Sequence, residues 1–213
     1  MGEKTPFDIG AALATVKATL AVPAAVAGRP VLVMLCGLPG TGKTSLARRL
    51  AQRWPAVIIE SDRIRQTLFS PPAYTAEESR QLHRVCHILI GWYLRHSDRD
   101  GKLYQHHVIY DATNLYEYHR QLVYHLAERC AARLVVAEVT AHDGIVRERL
   151  APRQAGNARE RSSVQGEYSD ADWDIYQRMR RRAEPIQGEH ITVDTSDGGI
   201  ELAVEQVLAA IGG

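Results

Sequence analysis

The sequence predicts an α/β fold, a parallel five-stranded sheet with helices on both faces. Three observations point to it. Short, almost wholly apolar runs recur along the chain, each followed by a segment of helical periodicity, as expected of strands covered on both sides. The hydrophobic fraction, 45% of 213 residues, is that of a globular chain with a full core. The stretch Gly37-Leu38-Pro39-Gly40-Thr41-Gly42-Lys43-Thr44 stands between an apolar run at 31–36 and a helix-forming segment at 45–51. Strand, glycine-rich turn and helix in that order make a phosphate-binding P-loop, and with it a P-loop nucleoside triphosphate-binding fold.

Residues 8–21 place Ile9, Leu13, Val16 and Leu20 at helical spacing, and 23–30 read as a small-residue linker. Residues 1–30 are therefore an N-terminal helix and linker, and 31–213 the P-loop domain. After the P-loop unit, 57–60 is a second buried strand and 62–69 a helix, which Pro71-Pro72 ends. Thr75 to Glu78 is a capping box for a helix with Leu82, Val85, Leu89, Trp92 and Tyr93 on one face. A turn follows at 98–101, a third strand at 108–111 and a helix at 117–131. A fourth strand at 134–139 precedes a helix at 143–151. Residues 154–168 are polar and read as a mobile loop, part of a lid at about 147–170. Ser169 caps a helix reaching 183; the last strand is 191–194 and the last helix 199–211. Strand order is not legible.

Net charge is +1, so no global field favours nucleic acid. Cys36, Cys86 and Cys130 are odd in number and far apart, without disulfide or metal spacing, which implies a reducing, cytoplasmic compartment. Neither a signal peptide, a membrane span nor a metal cluster is expected.

The chemistry should lie at the carboxyl ends of the strands. Gly37, Gly40 and Gly42 let the backbone curl its N–H groups inward, with Leu38, Pro39, Thr41 and Ser45 completing the cradle for ATP. Lys43 reaches the β- and γ-phosphates and Thr44 takes a place on Mg²⁺. Asp111 ends the third strand as a magnesium-binding aspartate does, or is a turn or cap residue. Ala112 stands where water-activating ATPases carry glutamate, which favours transfer over hydrolysis. Asp62 is placed to be a general base, with Arg65 on nearly the same helix face to hold an anion; the plain alternative is a helix cap and a solvent arginine. Arg149 and Arg153 are four apart and suit charge stabilisation from a lid, or belong to a solvated arginine face. Arg147, Arg159 and Arg161 are weaker candidates. Arg180-Arg181-Arg182 reads as a solvated face, and Trp92, Tyr93 and Trp173 as core or interface.

With these residues the chain resembles the P-loop kinases that include polynucleotide 5′-hydroxyl kinases, over most of 31–185. The resemblance rests on Gly37 to Thr44, Asp62-Arg63-Ile64-Arg65, Asp111-Ala112-Thr113-Asn114-Leu115 and Arg149-Leu150-Ala151-Pro152-Arg153. It implies Asp62 as base, Arg65 on the phosphate next to the acceptor nucleoside, Asn114 orienting the acceptor, and Arg149 and Arg153 gripping donor phosphates. Adenylate-kinase-like, zeta-toxin-like and antibiotic-phosphorylating kinases share parts of this pattern. Pro152 should loosen the lid helix and misalign Arg153. Three functions stay open: an ATP-dependent kinase for a nucleic-acid 5′-hydroxyl, a kinase for a small metabolite or antibiotic, and an ATP-bound switch with little turnover.

Overall fold

The computed structural model describes residues 7–155, 171–196 and 198–212, and of 152–155 the backbone alone. In chain order the elements are α1 Ile9–Lys17, β1 Val31–Cys36, α2 Lys43–Arg53, β2 Val57–Glu60, α3 Ser61–Leu68, α4 Ala76–Leu94, β3 His96–Ser97, β4 Leu103–Tyr104, β5 Val108–Asp111, α5 Glu117–Arg129, β6 Arg133–Thr140, α6 Asp143–Ala155, α7 Trp173–Arg182, β7 Ile191–Asp194 and α8 Ile200–Gly212.

Five strands form one parallel sheet in the order β2-β5-β1-β6-β7. Every residue of β1 and β5 is buried, which explains why these runs show no polar alternation. The pleat still divides them. Leu32, Met34, Val57, Ile59 and Tyr110 pack with α1, α3, α4 and α5; Val33, Leu35, Ile109, Ala137 and Val193 pack with α2 and α8. Leu46 and Leu50 are fully buried in the second layer and fix α2, each worth about 2 kcal/mol relative to exposure. The phosphate loop at the head of α2 is thereby held to the sheet. The connection after β1 leads to β2 on one side and the connection after β5 crosses to β6 on the other, so a crevice opens at the carboxyl ends of β1 and β5. No helix among the described residues is long and apolar enough to cross a membrane.

α1 packs on α3 and α4, with Ala12 and Val16 in the core and Arg63 Nη2 donating to the Thr19 carbonyl at 3.3 Å. The linker is pinned too: Arg29 Nε donates to the Ala131 carbonyl at 2.9 Å.

Several expectations are corrected. The turn at 98–101 closes a hairpin, β3 against β4, whose two-residue strands are too short to show a period. Leu82, Val85, Leu89 and Tyr93 are buried as predicted, but Trp92 is 40% exposed. It falls about 80° around the helix from Leu82, at the margin of the apolar face. There it lies under Lys17 Nζ and against His96, with ring centroids 4.3 Å apart. Only half of the capping box forms. Thr75 Oγ1 accepts from Glu78 N, while the Glu78 carboxylate turns to Ala73 N and Arg65. α6 stays helical past Pro152 to Ala155, so its backbone is not broken there. α7 is capped by Asp172, whose side chain accepts from Ile175 N at 2.8 Å. Ser169, and the predicted loop beyond Ala155, lie outside the described residues.

Between α4 and α5 stand His83, His87 and His119, with His83 and His119 edge to face at 4.4 Å. Burial pushes His83 down to about 3 and His87 down to about 4. The sign follows. An unfolded histidine takes up a proton near its ordinary value of 6.5 while the folded one stays neutral. Stability is thus fully present above about pH 6.5 and lost as pH falls toward 4 and then 3. Each histidine is expected to cost about 1 kcal/mol per pH unit in that window. Urea midpoints measured from pH 7.5 to 5 should fall in the wild type, and fall less in His83→Gln/His87→Gln. Equal slopes would remove these imidazoles from the acid sensitivity.

Candidate active site

The P-loop is built at the end of β1 by backbone that only glycine tolerates. A Cβ on Gly37 would collide with the Val139 carbonyl, and one on Gly42, at φ +88°, would stand 2.9 Å from Thr195 Oγ1. The Leu38 carbonyl collects three donors: Thr41 N at 3.4 Å, Thr41 Oγ1 at 2.9 Å and Lys43 Nζ at 2.8 Å. Gly42 is the N-cap of α2 and brings no side-chain acceptor to its first turn. The positive end of the helix dipole faces the loop there, the setting in which a helix N-terminus receives an anion.

Above the loop opens a cleft of about 620 Å³. Gly40, Gly42, Lys43, Thr44 and Ser45 form its floor, Glu60, Ser61 and Asp62 one wall, Asp111 to Thr113 the back and Arg149 the other flank. Thr44 Oγ1 donates to Asp111 Oδ2 at 2.7 Å. Asp111 is buried; burial pushes its carboxyl up, and Lys43, the Thr44 hydrogen bond and Arg48 hold it down. A hydroxyl and a carboxylate oxygen this close, facing a phosphate loop, are the hard donors that suit Mg²⁺. Asp62 is in the first turn of α3; the N-cap is Glu60, so the reading of Asp62 as a cap does not describe this helix.

Arg149 is half-buried on α6. Its Nη1 donates to the Gly40 carbonyl at 3.3 Å and to Thr195 Oγ1 at 3.1 Å, and its Nη2 to the Thr195 carbonyl at 2.7 Å. Val146 and Leu150 of α6 meet Gly40 from above, so α6 rides directly on the phosphate loop.

Arg65 and Asn114 do not line this cleft, and Gly37, Leu38 and Thr41 line a neighbouring pocket instead. Arg65 is buried in an ion pair, Nη1 to Glu78 Oε1 at 3.1 Å, with Nη2 near Ser79 Oγ and the guanidinium on the Tyr74 ring. An arginine so held is not offered to an anion. Asn114 is buried at φ +46°, a conformation asparagine accepts, and donates Nδ2 to the Leu35 carbonyl at 2.7 Å. It ties the loop after β5 to β1 rather than facing the cleft. The side chain of Arg153 lies outside the described residues, as do Arg159 and Arg161. Arg147 stacks on Trp173, and Arg180 pairs with Asp143 at 2.6 Å.

Two residues escaped the sequence reading. Glu60 ends β2 opposite Asp111 across the sheet. Burial first, and Asp111 next, push its carboxyl up to about 7, although Arg48 lies 3.4 Å away. Thr195, just past β7, is buried and donates Oγ1 to the Thr41 carbonyl at 2.6 Å, which clamps the phosphate loop. The only signal for either was a polar residue ending an apolar run.

The profile of the AAA domain family matches residues 32–186. The chain belongs to this AAA domain family. The match takes in Gly37 to Thr44, Asp62, Asp111 and Arg149; α1, β7, α8 and the Thr195 clamp lie outside it. No curated protein matches the sequence significantly. Solved structures share the AAA-domain chain's fold. A Kti12 of Chaetomium thermophilum, solved with ADP-AlF3, is 17% identical at a TM-score of 0.58 and covers 85% of this chain and 100% of its own. The APS kinase CysC of Mycobacterium tuberculosis, with AMPPNP and APS, is 16% identical at 0.57, covering 87% and 99%. A gluconokinase of Sinorhizobium meliloti is 16% identical at 0.50, covering 86% and 97%. The fold is therefore that of the P-loop kinases.

For this AAA-domain site, Arg149→Ala is expected to lower kcat by about 10³-fold, as loss of a positioned arginine does in phosphoryl transfer. Arg149→Lys should recover only part, since it keeps the charge and loses the fork that spans Gly40 and Thr195. Steady-state rates of both variants check this; a wild-type rate in Arg149→Ala would move the role to another arginine.

Proposed function

We propose that the chain is an ATP-dependent kinase that transfers the γ-phosphoryl group to a hydroxyl. The observation that carries this is one cleft shared by Asp62, Lys43, the Thr44–Asp111 pair and Arg149. The α2 N-terminus and Lys43 would hold the β- and γ-phosphates, and Thr44 and Asp111 the Mg²⁺, which when bound neutralises phosphate charge. Asp62 takes the hydroxyl proton as the acceptor oxygen bonds to the γ-phosphorus. The bond from that phosphorus to the β–γ bridging oxygen breaks, and ADP leaves with the electron pair. Arg149 stabilises the charge that spreads over the transferring group. Ala112 offers no carboxylate for activating water. The three cysteines, all free and buried, support work in the cytoplasm.

The acceptor we favour is a nucleic-acid 5′-hydroxyl, on the strength of the sequence resemblance to polynucleotide kinases at the P-loop, Asp62 and Arg149. A small-metabolite acceptor is the second reading. It is favoured by the Arg65–Glu78 pair, which removes the expected phosphate clamp, and by structural neighbours described as APS kinase and gluconokinase. ADP release is to be measured with ATP·Mg²⁺ and a panel of 5′-hydroxyl oligonucleotides, nucleosides, sugars, sugar acids and aminoglycosides. Acceptor-dependent release is expected, and the productive class decides between the two. ADP release that no acceptor raises would point to the ATP-bound switch.

A further inference from the structure

We infer that Thr195, which lies beyond the residues the family profile matches, is a positioning residue for phosphoryl transfer: its buried hydroxyl aims both the Arg149 fork and the Gly42 N–H at the phosphates. This rests on the kinase reading and adds to it a residue from the far end of the chain.

Thr195 follows β7 and is 1% exposed. Its N–H donates to the Thr140 carbonyl at 3.0 Å, so its backbone is anchored at the carboxyl end of β6. A threonine hydroxyl has one hydrogen to give and two lone pairs to accept with. Here the hydrogen goes to the Thr41 carbonyl at 2.6 Å; the Thr140 carbonyl, at 3.3 Å, is the weaker alternative. A lone pair receives Arg149 Nη1 at 3.1 Å, and the Thr195 carbonyl receives Nη2 at 2.7 Å. One residue thus holds both arms of the guanidinium. Accepting from a cation polarises the hydroxyl and strengthens the bond it donates.

The bond to Thr41 sets the phosphate loop. A peptide unit is planar and trans, so its carbonyl and its N–H point to opposite sides. The unit that begins at the Thr41 carbonyl ends at the N–H of Gly42. Turning the carbonyl to Thr195 therefore turns that N–H away from it, and Gly42 lines the cleft. Thr41 itself lines the neighbouring pocket, on the other side of the loop. Thr195 also fills the space a side chain at 42 would need: a Cβ there would stand 2.9 Å from Thr195 Oγ1 and 3.4 Å from Arg149 Nη1. Loop, hydroxyl and arginine form one packed unit. Packing depends on the shape of residue 195, positioning on its hydroxyl, and substitutions separate the two.

The full-length protein is assayed as Thr195→Val, Thr195→Ala and Thr195→Ser, and as Arg149→Ala alone and combined with Thr195→Val. Acceptor-dependent kcat is measured beside the affinity for ATP·Mg²⁺ by calorimetry. Losing a hydrogen bond to a charged group is expected to lower kcat about 10–100-fold in Thr195→Val. Thr195→Ser, which keeps the hydroxyl, should return most of the rate. In the Arg149→Ala background Thr195→Val should cost little further kcat, since the group it aims is gone. The ATP affinity lost through Gly42, up to about tenfold, should be lost in both backgrounds. Thr195→Ala removes the hydroxyl without setting a methyl against the Thr41 carbonyl, so it reads the same losses where Thr195→Val folds poorly. The proposal is overturned if Thr195→Val and Thr195→Ala keep the wild-type kcat and ATP affinity, or if Thr195→Ser loses as much as Thr195→Val. It is also overturned if the kcat losses of Thr195→Val and Arg149→Ala multiply, as those of an unrelated structural defect would, and in that case the kinase reading stands. If no acceptor raises ADP release by the wild type, the kinase reading fails and the Arg149 half with it; unchanged ATP affinity in Thr195→Val then defeats the Gly42 half as well.

Discussion

Lys43→Ala is expected to abolish phosphoryl transfer, by about 10³-fold or more, while the protein still folds. The side chain lies along the phosphate loop with Nζ 2.8 Å from the Leu38 carbonyl, not among the residues that seat α2 on the sheet. Leu46, Ala47 and Leu50 do that. Truncation thus removes a charge and one loop hydrogen bond, and the melting temperature should move by only a few degrees. The functional loss has two parts. The cation that meets the β- and γ-phosphates is gone. So is the charge that does most to hold the buried Asp111 carboxyl down, so Asp111 binds its proton more tightly and becomes a poorer partner for Mg²⁺. Transfer assays beside thermal melts check both halves. Wild-type turnover in Lys43→Ala would end the P-loop assignment.

What the sequence revealed is what is written contiguously or with a period. The P-loop is eight consecutive residues whose strand and helix flank it, and the buried strands are uninterrupted apolar runs, so both were readable. Strand order was not, because pairing of β2 with β5 joins residues about fifty positions apart and leaves no local trace. Glu60 was invisible for that reason: it gains its raised carboxyl from burial and from Asp111, which reaches it only through the sheet. Arg65 shows a different failure. Spacing put it on the face of Asp62, and local capping rules gave Glu78 to Thr75. Thirteen residues apart, the two found each other instead, since a buried guanidinium requires a carboxylate more than a helix end requires a second cap. Thr195 joins the last strand to the first loop, a contact of 154 positions.

Asp62→Asn is expected to bind ATP·Mg²⁺ as the wild type does and to lose transfer to the acceptor by about 10²–10⁴-fold. The amide keeps the size of the carboxylate but cannot accept the hydroxyl proton. Nucleotide and metal are held from β1 and β5, by Lys43, Thr44 and Asp111, so their affinity has little reason to change. Stability should not account for the loss. Asp62 is within the first turn of α3 and Glu60 is its cap, so at the helix end Asn forfeits a favourable charge near the dipole, about 0.5 kcal/mol. The rival base is Glu60 itself, two residues away in the same wall, with a carboxyl pushed up to about 7. It is mostly protonated below that pH and able to accept a proton above it. If Glu60 substitutes, residual turnover of Asp62→Asn should climb as pH rises through about 7, and Glu60→Gln in that background should flatten the climb. Full turnover in Asp62→Asn together with its loss in Glu60→Gln would transfer the role of base to Glu60. Loss of ATP binding in Asp62→Asn would instead make Asp62 part of the metal site.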